Sequence, residues 1–467
     1  MLLAILLVSA VAYGVAGFCL ASLPGSTGVF NFLTVFAVAF LCYIAALFVL
    51  ARLKQIPSQR LIIIILTTAA LFRLLILPAG MSDGASWDNL YGDLSGRAVT
   101  FDRFLLYDHD VWRYLWDGHQ QAVGLNPYRY SPSQLEPYST GVFADDPMLE
   151  ERLFPDDTWR DIWENINYQE IPTPYPPLLQ LCFRISHTLA PGSIVCWKLI
   201  LILIDLLLCL ALAMLLRVLN LPIHYLAAYA WNPLVIKELA GSAHADVIPA
   251  LFIVLALLAF VQARTGWGSG LLALGILAKL SPLVLLPFVW RRMSWRDRAI
   301  CAAIVSIGFL PFISVGKDFV KGFSTYSQEW IFNPGVFELF RWIAVKLAPT
   351  INPALPARVL CAFCYLILMV VLLRHPTVSA RSLAEKWLIA LGGLLFFSAT
   401  IMPWYLIWFL PLAALCRRHA WLIYSALCFL SYWVYIRGDG SEEAWRLILT
   451  HGGFLCAFII EEWQRSN

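Results

Sequence analysis

The stretch Tyr107-Asp108-His109-Asp110-Val111-Trp112-Arg113-Tyr114-Leu115-Trp116-Asp117 places carboxylates, a guanidinium and phenols in close succession. Asp108 suits a helix N-cap, and Gly124-Leu125-Asn126-Pro127 suits a stop, so the spacing predicts one short helix between them. Along it, Asp110, Arg113, Tyr114, Asp117 and Gln121 fall at i, i+3, i+4, i+7 and i+11 and share a face. Val111, Leu115, Gly118 and Ala122 form an apolar stripe that would seat this helix on a membrane-embedded domain. The dipole at a helix N-terminus keeps a carboxylate ionised, which suits Asp108 and Asp110 to accept a proton or bind a cation. In the plainer reading, Asp108 only caps, and Asp110, Arg113 and Asp117 pair along a solvated helix.

Further polar islands interrupt apolar sequence. Tyr175-Pro176-Pro177, preceded by Ile171-Pro172-Thr173-Pro174, reads as a stiff elbow or a substrate contact. Trp231-Asn232-Pro233, Lys237-Glu238 and His244-Ala245-Asp246 gather ionisable groups near one helix end, where Lys237 and Glu238 could simply neutralise each other. Met402-Pro403-Trp404-Tyr405 and Trp330-Ile331-Phe332-Asn333 set aromatics at span ends, which belt anchoring alone would explain. Lys198 and Asp205, seven apart on one span, read as a buried pair or a snorkelling lysine. A Gly-rich phosphate loop, a Gly-x-Ser-x-Gly elbow and zinc-type His spacing are absent, which argues against ATP-driven and serine-hydrolase chemistry.

The elements that position these residues must lie in a bilayer. The chain is 60% hydrophobic and 13% charged, where soluble domains hold about 45–50% apolar and about 25% charged residues. Long apolar runs recur, for example at 30–50, 61–77, 245–261, 300–315, 359–373 and 420–435, as crossing about 30 Å of hydrocarbon requires. Nineteen Trp and eighteen Tyr suit two membrane interfaces. Short basic loops at Arg52-Leu53-Lys54, Arg291–Arg298, Arg374 and Arg417-Arg418 are expected to be cytoplasmic. From Met81 to Tyr175 stand seventeen acidic residues, six Arg and no Lys, and counting spans puts this segment on the outer face. None of the eleven Cys falls in it, so disulfides do not staple it, and Cys361-Ala362-Phe363-Cys364 reads as packing. No basic stripe points to nucleic acid.

The expected organisation is three spans in 1–78, an outer loop at 79–193 and a transmembrane core at 194–315. A second outer loop follows at 316–355, then C-terminal spans at 356–467, for about twelve to fourteen crossings. The N-terminus lacks a basic leader and a cleavage site, so the first apolar run is expected to be a retained span. The run 178–190, carrying Arg184 and His187, is expected to lie in the interface. Lys279-Leu280-Ser281-Pro282 breaks 267–290 into an expected hairpin with Lys279 near its outer tip.

Taken in order, Asp110–Gly118, Gly124-Leu125-Asn126-Pro127-Tyr128 and Pro172–Pro177 resemble the first outer loop of the bacterial GT-C glycosyltransferases. The similarity is closest to the polyprenyl-phosphate-mannose-dependent mannosyltransferases of glycosyltransferase family 87. Trp231-Asn232-Pro233-Leu234, Gly241–Asp246, Lys279–Pro282, Trp330–Asn333 and Pro403-Trp404-Tyr405 extend the resemblance over about residues 105 to 410. The resemblance implies an all-α polytopic GT-C-like bundle in the plasma (inner) membrane, with its active site facing the periplasm or exterior. It implies transfer of a hexose, mannose first among candidates, from a polyprenyl-phosphate donor to a lipid-linked or glycan acceptor, with inversion.

Carried onto this sequence, Asp110 is the expected general base, with Asp108 beside it. Arg113, Lys279 and His244 are expected to face the leaving phosphate, and Trp116, Trp404 and Tyr405 to stack on sugar or prenyl chain. Tyr114, Asp117, Asn126, Tyr128, Tyr175 and Asp246 complete the expected substrate contacts. No cofactor beyond the lipid-phosphate sugar donor is implied; the Asp108–Asp110 pair leaves a divalent metal open. The chain departs from the family in two extra spans before the usual first one and in Ala245, where relatives often carry Asn. The rival readings are a transporter or flippase for a lipid-linked sugar and a non-catalytic scaffold for an envelope polymer. The transporter reading predicts interrupted spans in two symmetry-related places, against one clear break here, at Lys279–Pro282.

Overall fold

The computed structural model describes residues 1–18, 25–53, 56–82, 86–97, 99–102, 106–136, 146–347, 349–437 and 442–466; Lys54 of the first basic loop lies outside them. The described residues form helices and, apart from two isolated β-bridges, no strand pairing. Among the described residues seven helices are long and apolar enough to cross a membrane: Thr27–Arg52, Ser58–Ile76, Ile194–Val218, Trp295–Gly316, Ala354–Arg374, His419–Ile436 and Ala444–Ser466. Leu2–Gly17, Val247–Val261 and Thr265–Ala278 are shorter apolar helices. The chain is an all-α polytopic membrane protein. Several runs expected as single spans are instead built from short pieces, which is why fewer intact crossings stand than the twelve to fourteen apolar runs suggested.

These interruptions have local causes. The run from Ile223 to Gly241 breaks at Trp231-Asn232, restarts at Pro233 and ends in a π-turn over Lys237–Gly241. Asn232 mends its own break: its Oδ1 accepts the Leu234 N–H at 3.0 Å and its Nδ2 donates to Ser425 Oγ at 3.0 Å. Helix Thr265–Ala278 stops at Lys279, which is extended (φ −155°), before Ser281–Leu285 and Leu286–Val289, the expected hairpin. Pro403–Trp408 forms a 3₁₀ turn before helix Leu410–Cys416. The single break read from the sequence is therefore one of several. Irregular backbone at membrane depth is tolerated where protein or a cavity surrounds it; the breaks at Lys279 and Pro403 border the cavity described below, and the break at Asn232 is buried in protein.

Buried charges tie the bundle together. Arg73 pairs with Asp205 at 2.5 Å, both fully buried, and Tyr229 donates to Asp205 at 2.5 Å. Lys198 instead donates to the carbonyls of Leu77 (3.0 Å) and Ala79 (2.7 Å) at the end of helix Ser58–Ile76. Neither a Lys198–Asp205 pair nor a snorkelling lysine is present, because each group finds a nearer partner on another element.

The helix predicted from the acidic motif spans Asp110–Ala122. His109, not Asp108, holds the N-cap position; Asp108 sits one residue earlier and accepts the Asp110 N–H at 2.9 Å. Val111 to Gln120 are all buried, so the solvated-helix reading does not hold. The apolar stripe lies on helix Pro177–Leu189, and Gly118 allows the closest approach: a Cβ there would fall 2.5 Å from the Phe183 carbonyl oxygen. Gly118→Ala is expected to cost about 1–3 kcal/mol and to lower the unfolding temperature in detergent. An unchanged temperature would contradict this packing.

Candidate active site

The broken segments at Lys279 and Pro403, with the start of the motif helix, border a cavity of about 200 Å³. Asp108, His109, Asp110, Tyr114 and Tyr175 line it from the acidic segment; Lys279, Trp330, Trp404 and Tyr405 line it from the facing elements. Asn167, Tyr168, Tyr432 and Tyr435 complete the polar and aromatic wall.

The two carboxylates have opposite surroundings. His244 Nε2 lies 3.0 Å from Asp108 Oδ1, off the line of a good hydrogen bond but close enough for an ion pair. The His244 ring stacks on Trp404, centroids 3.7 Å apart and planes 14° apart. Its Nδ1 lies 3.2 Å from Glu238 Oε2, and Glu238 in turn takes Lys237 Nζ at 3.0 Å and the Tyr432 hydroxyl at 2.7 Å. Burial alone would raise the Asp108 carboxyl, but the His244 imidazolium outweighs it, with His109 and the Asp110 amide assisting, and holds it down at about 2. Among the described residues Asp110 has no such clamp, and Asn167 Nδ2 donates to it at 3.0 Å. Burial first, and the Asp108 charge second, push its carboxyl above the ordinary carboxylate range. One carboxylate is locked ionised; its neighbour is primed to take a proton.

Opposite them, Lys279 Nζ bonds Asp246 Oδ1 at 2.9 Å and rides 4.4 Å above the Tyr405 ring. Asp246 also accepts Trp408 Nε1 at 2.6 Å. Among the described residues, Asp108, Asp110 and His244 also present ligand atoms all within 4.8 Å of one another, a donor set a divalent ion could use if it displaced the imidazole proton.

Of the residues singled out from the sequence, Asp108, Asp110, Tyr114, Tyr175, Lys279, Trp404 and Tyr405 line this cavity. His244 and Asp246 stand directly behind it, each holding a lining residue. The others are turned to structural work. Arg113 bonds Asp117 (2.8 Å) and the Ile171 carbonyl (2.9 Å), bordering only a small adjoining cleft. Asp117 gathers Thr173 (2.5 Å) and Gln180 (2.9 Å), so the pair latches the motif helix to the elbow at 171–180. Trp116 is fully buried against Phe154 and His119. Asn126 accepts the Tyr128 N–H, and Tyr128 donates to the Tyr175 carbonyl at 2.6 Å, bracing that elbow.

Glu238 was read only as neutralising Lys237, and Asn167, Tyr168, Tyr432 and Tyr435 were not singled out. Asn167 and Tyr168 carry no sequence signal; the two tyrosines at a span end could have been found as the other aromatic pairs were. Backbone strain also marks the place. Leu106, Tyr107, Tyr168 and Ala243, all non-glycine with φ between 49° and 68°, lie within two residues of Asp108, Asn167 or His244.

Residues 105–294 match the family described as alpha-(1->6)-mannopyranosyltransferase, N-terminal domain. The match is confined to that stretch. The matched stretch carries the motif helix, the His244 turn and Lys279, and the match agrees with the resemblance read from the motifs. No curated protein and no solved structure matches the chain. The chain is thus a membrane protein similar over residues 105–294 to a mannosyltransferase family, and its acidic helix opens the cavity.

Removing the Asp117 carboxylate would leave Arg113 buried without its partner, a loss of about 3–5 kcal/mol. Asp117→Ala is therefore expected to lower folded yield and unfolding temperature. A variant as stable as the parent but devoid of activity would place Asp117 in the chemistry instead.

Proposed function

We propose that the protein transfers a hexose, mannose in the first instance, from a polyprenyl-phosphate sugar to a lipid-linked or glycan acceptor, with inversion at the anomeric carbon. The observation that carries this reading is the divergence of two adjacent carboxylates, one pinned by His244 and one raised, in an aromatic-lined cavity with a lysine opposite. Asp110 takes the proton of an acceptor hydroxyl as that oxygen attacks the anomeric carbon. The bond from that carbon to the phosphate oxygen breaks, and the polyprenyl phosphate departs with the electron pair. Lys279 supplies positive charge toward the leaving group, and Trp404 and Tyr405 offer faces for a sugar ring. Asp108 stays ionised against His244 and raises the basicity of Asp110 by proximity. In this reading the cavity faces the exterior or periplasm, as the cytoplasmic assignment of the basic loops requires.

A transporter would share the aromatics, and the three broken segments remove the objection that only one break exists. A proton-accepting carboxylate would serve a transporter as well, and what favours the enzyme is the match of residues 105–294 to a mannosyltransferase family. Purified protein given radiolabelled polyprenyl-phosphate mannose and membrane-derived acceptors is expected to transfer label. Asp110→Asn should reduce turnover about 10²–10⁴-fold while leaving folding intact; full activity in that variant, or vesicle uptake without bond formation, would overturn the proposal.

The pH profile follows from the same asymmetry. Asp110 works deprotonated, so kcat/KM is complete above its raised pKa and falls as pH drops through it. The acid limb is expected above the ordinary carboxylate range. Asp108→Asn removes the neighbouring negative charge and should move that limb to lower pH; an upward shift would contradict the arrangement.

A further inference from the structure

The acidic outer segment holds a separate cavity of about 320 Å³ that shares no lining residue with the first. Helix Trp87–Leu94, the residues around Arg97 and Phe101, helix Asp157–Glu164 and the turn at Pro191-Gly192 wall it. Trp112 of the motif helix closes one side. Two residues along an α-helix turn the direction by roughly 200°, so Trp112 points away from the side that carries Asp110. This cavity therefore backs the helix whose other face opens the reaction space. Arg97, Thr100 and Asp161 are exposed, so it opens to water.

Its lining is polar where the first cavity is largely aromatic. Arg97, Thr100, Thr158, Asp161 and Asn165 bring a guanidinium, two hydroxyls, a carboxylate and an amide beside the rings of Trp112 and Phe101. Arg97 is held by the Asp88 carbonyl (2.5 Å), and Asn165 Nδ2 by the Asp161 carbonyl (2.9 Å). Among the described residues no protein donor meets the Asp161 carboxylate, and no partner meets the Thr158 hydroxyl. Asp93, the remaining charge, is buried and already takes Ser193 and the Val195 amide.

This chemistry selects a ligand class. Two carboxylates against one guanidinium leave the lining net negative, which repels a phosphate or another anion. An alkyl chain would strip water from Arg97 and Asp161 without replacing it. A neutral polyol suits both needs: its hydroxyls donate to Asp161 and accept from Arg97 or Asn165, and its C–H face meets the aromatic rings. The volume falls in the range usual for ligand sites, about 300–1,000 Å³. Asn165 lines this cavity, whereas Asn167, two residues on, lines the first and bonds Asp110. Two residues span at most about 7 Å, so a chain of a few sugar units reaches from one cavity to the other.

We propose that this cavity is a non-catalytic saccharide site, which holds a stretch of a glycan acceptor some units away from the hydroxyl that reacts. The role as acceptor rests on the glycosyl-transfer reading; binding of the saccharide does not, and its test needs no turnover.

Full-length protein in nanodiscs, titrated calorimetrically with an α-(1→6)-linked mannotetraose carrying no lipid, gives the readout. The parent is expected to bind saturably, Asp161→Ala at least about tenfold more weakly, and Asp161→Asn in between. Thr158→Trp, which fills the cavity and leaves the carboxylate, is expected to weaken binding as well. No saturable binding by the parent, binding that neither Asp161→Ala nor Thr158→Trp weakens, or displacement by inorganic phosphate overturns the assignment. In kinetics, Asp161→Ala is expected to raise the KM for a long glycan acceptor more than it lowers kcat. Saccharide binding through Asp161 without any sugar transfer would sink the glycosyl-transfer reading and leave this site standing; transfer without such binding would do the reverse.

Discussion

His244 occupies a fully buried position with a carboxylate on each side, Asp108 at Nε2 and Glu238 at Nδ1, and an indole stacked on its face. An imidazolium placed so is stable only because both anions are present, and the anions tolerate burial only because the imidazolium is. The group thereby welds four parts of the chain: the turn before the motif helix, the π-turn at Lys237–Gly241, the Pro403–Trp408 turn and, through Tyr432, the C-terminal bundle. It also fixes the charge of Asp108, and Asp108 in turn sets how readily Asp110 takes a proton. Stability of the bundle and reactivity of the cavity thus depend on one ring.

The broken segments follow from the same need. A continuous apolar helix satisfies its own backbone and offers nothing to a ligand. Breaking it at Asn232, Lys279 and Pro403 frees backbone groups that must be recaptured, by Asn232 with Leu234 and Ser425 in one instance. In exchange, side chains that could not leave a helix face, such as Lys279 and Trp404, are turned into a shared space. The non-glycine residues at positive φ beside Asp108, Asn167 and His244 carry strain of the same origin, of order 1–3 kcal/mol each. The extensive packing of the bundle is what holds them there.

Much of this was legible in the sequence, and the parts that were not share a cause. Membrane class, the motif helix and the break at Lys279 follow from residue type and local spacing, because each depends on near neighbours, whereas the grouping of Asp108, Asp110, Lys279, Trp404 and Tyr405 was implied by the family resemblance of the ordered motifs. Periodicity also put Arg113 and Asp117 on the face of Asp110, but it could not show that the elbow at 171–180 lies across them and turns them into a latch. Arg73 went unnoticed because its meaning comes from Asp205, on a distant helix. Lys198 was paired with the wrong partner because seven residues on one helix look adjacent, while the true acceptors are carbonyls at the end of another. The break at Asn232 was hidden because the Asn-Pro pair lies in a strongly apolar run.

A cryo-EM structure of the Asp110→Asn protein with bound polyprenyl-phosphate mannose would examine the arrangement most directly. The sugar is expected in the cavity between residue 110 and Tyr405, with its anomeric carbon open toward residue 110 and its phosphate on the Lys279 side. Density for the sugar elsewhere on the molecule, or a sugar in the cavity with residue 110 turned away from its anomeric carbon, would contradict it.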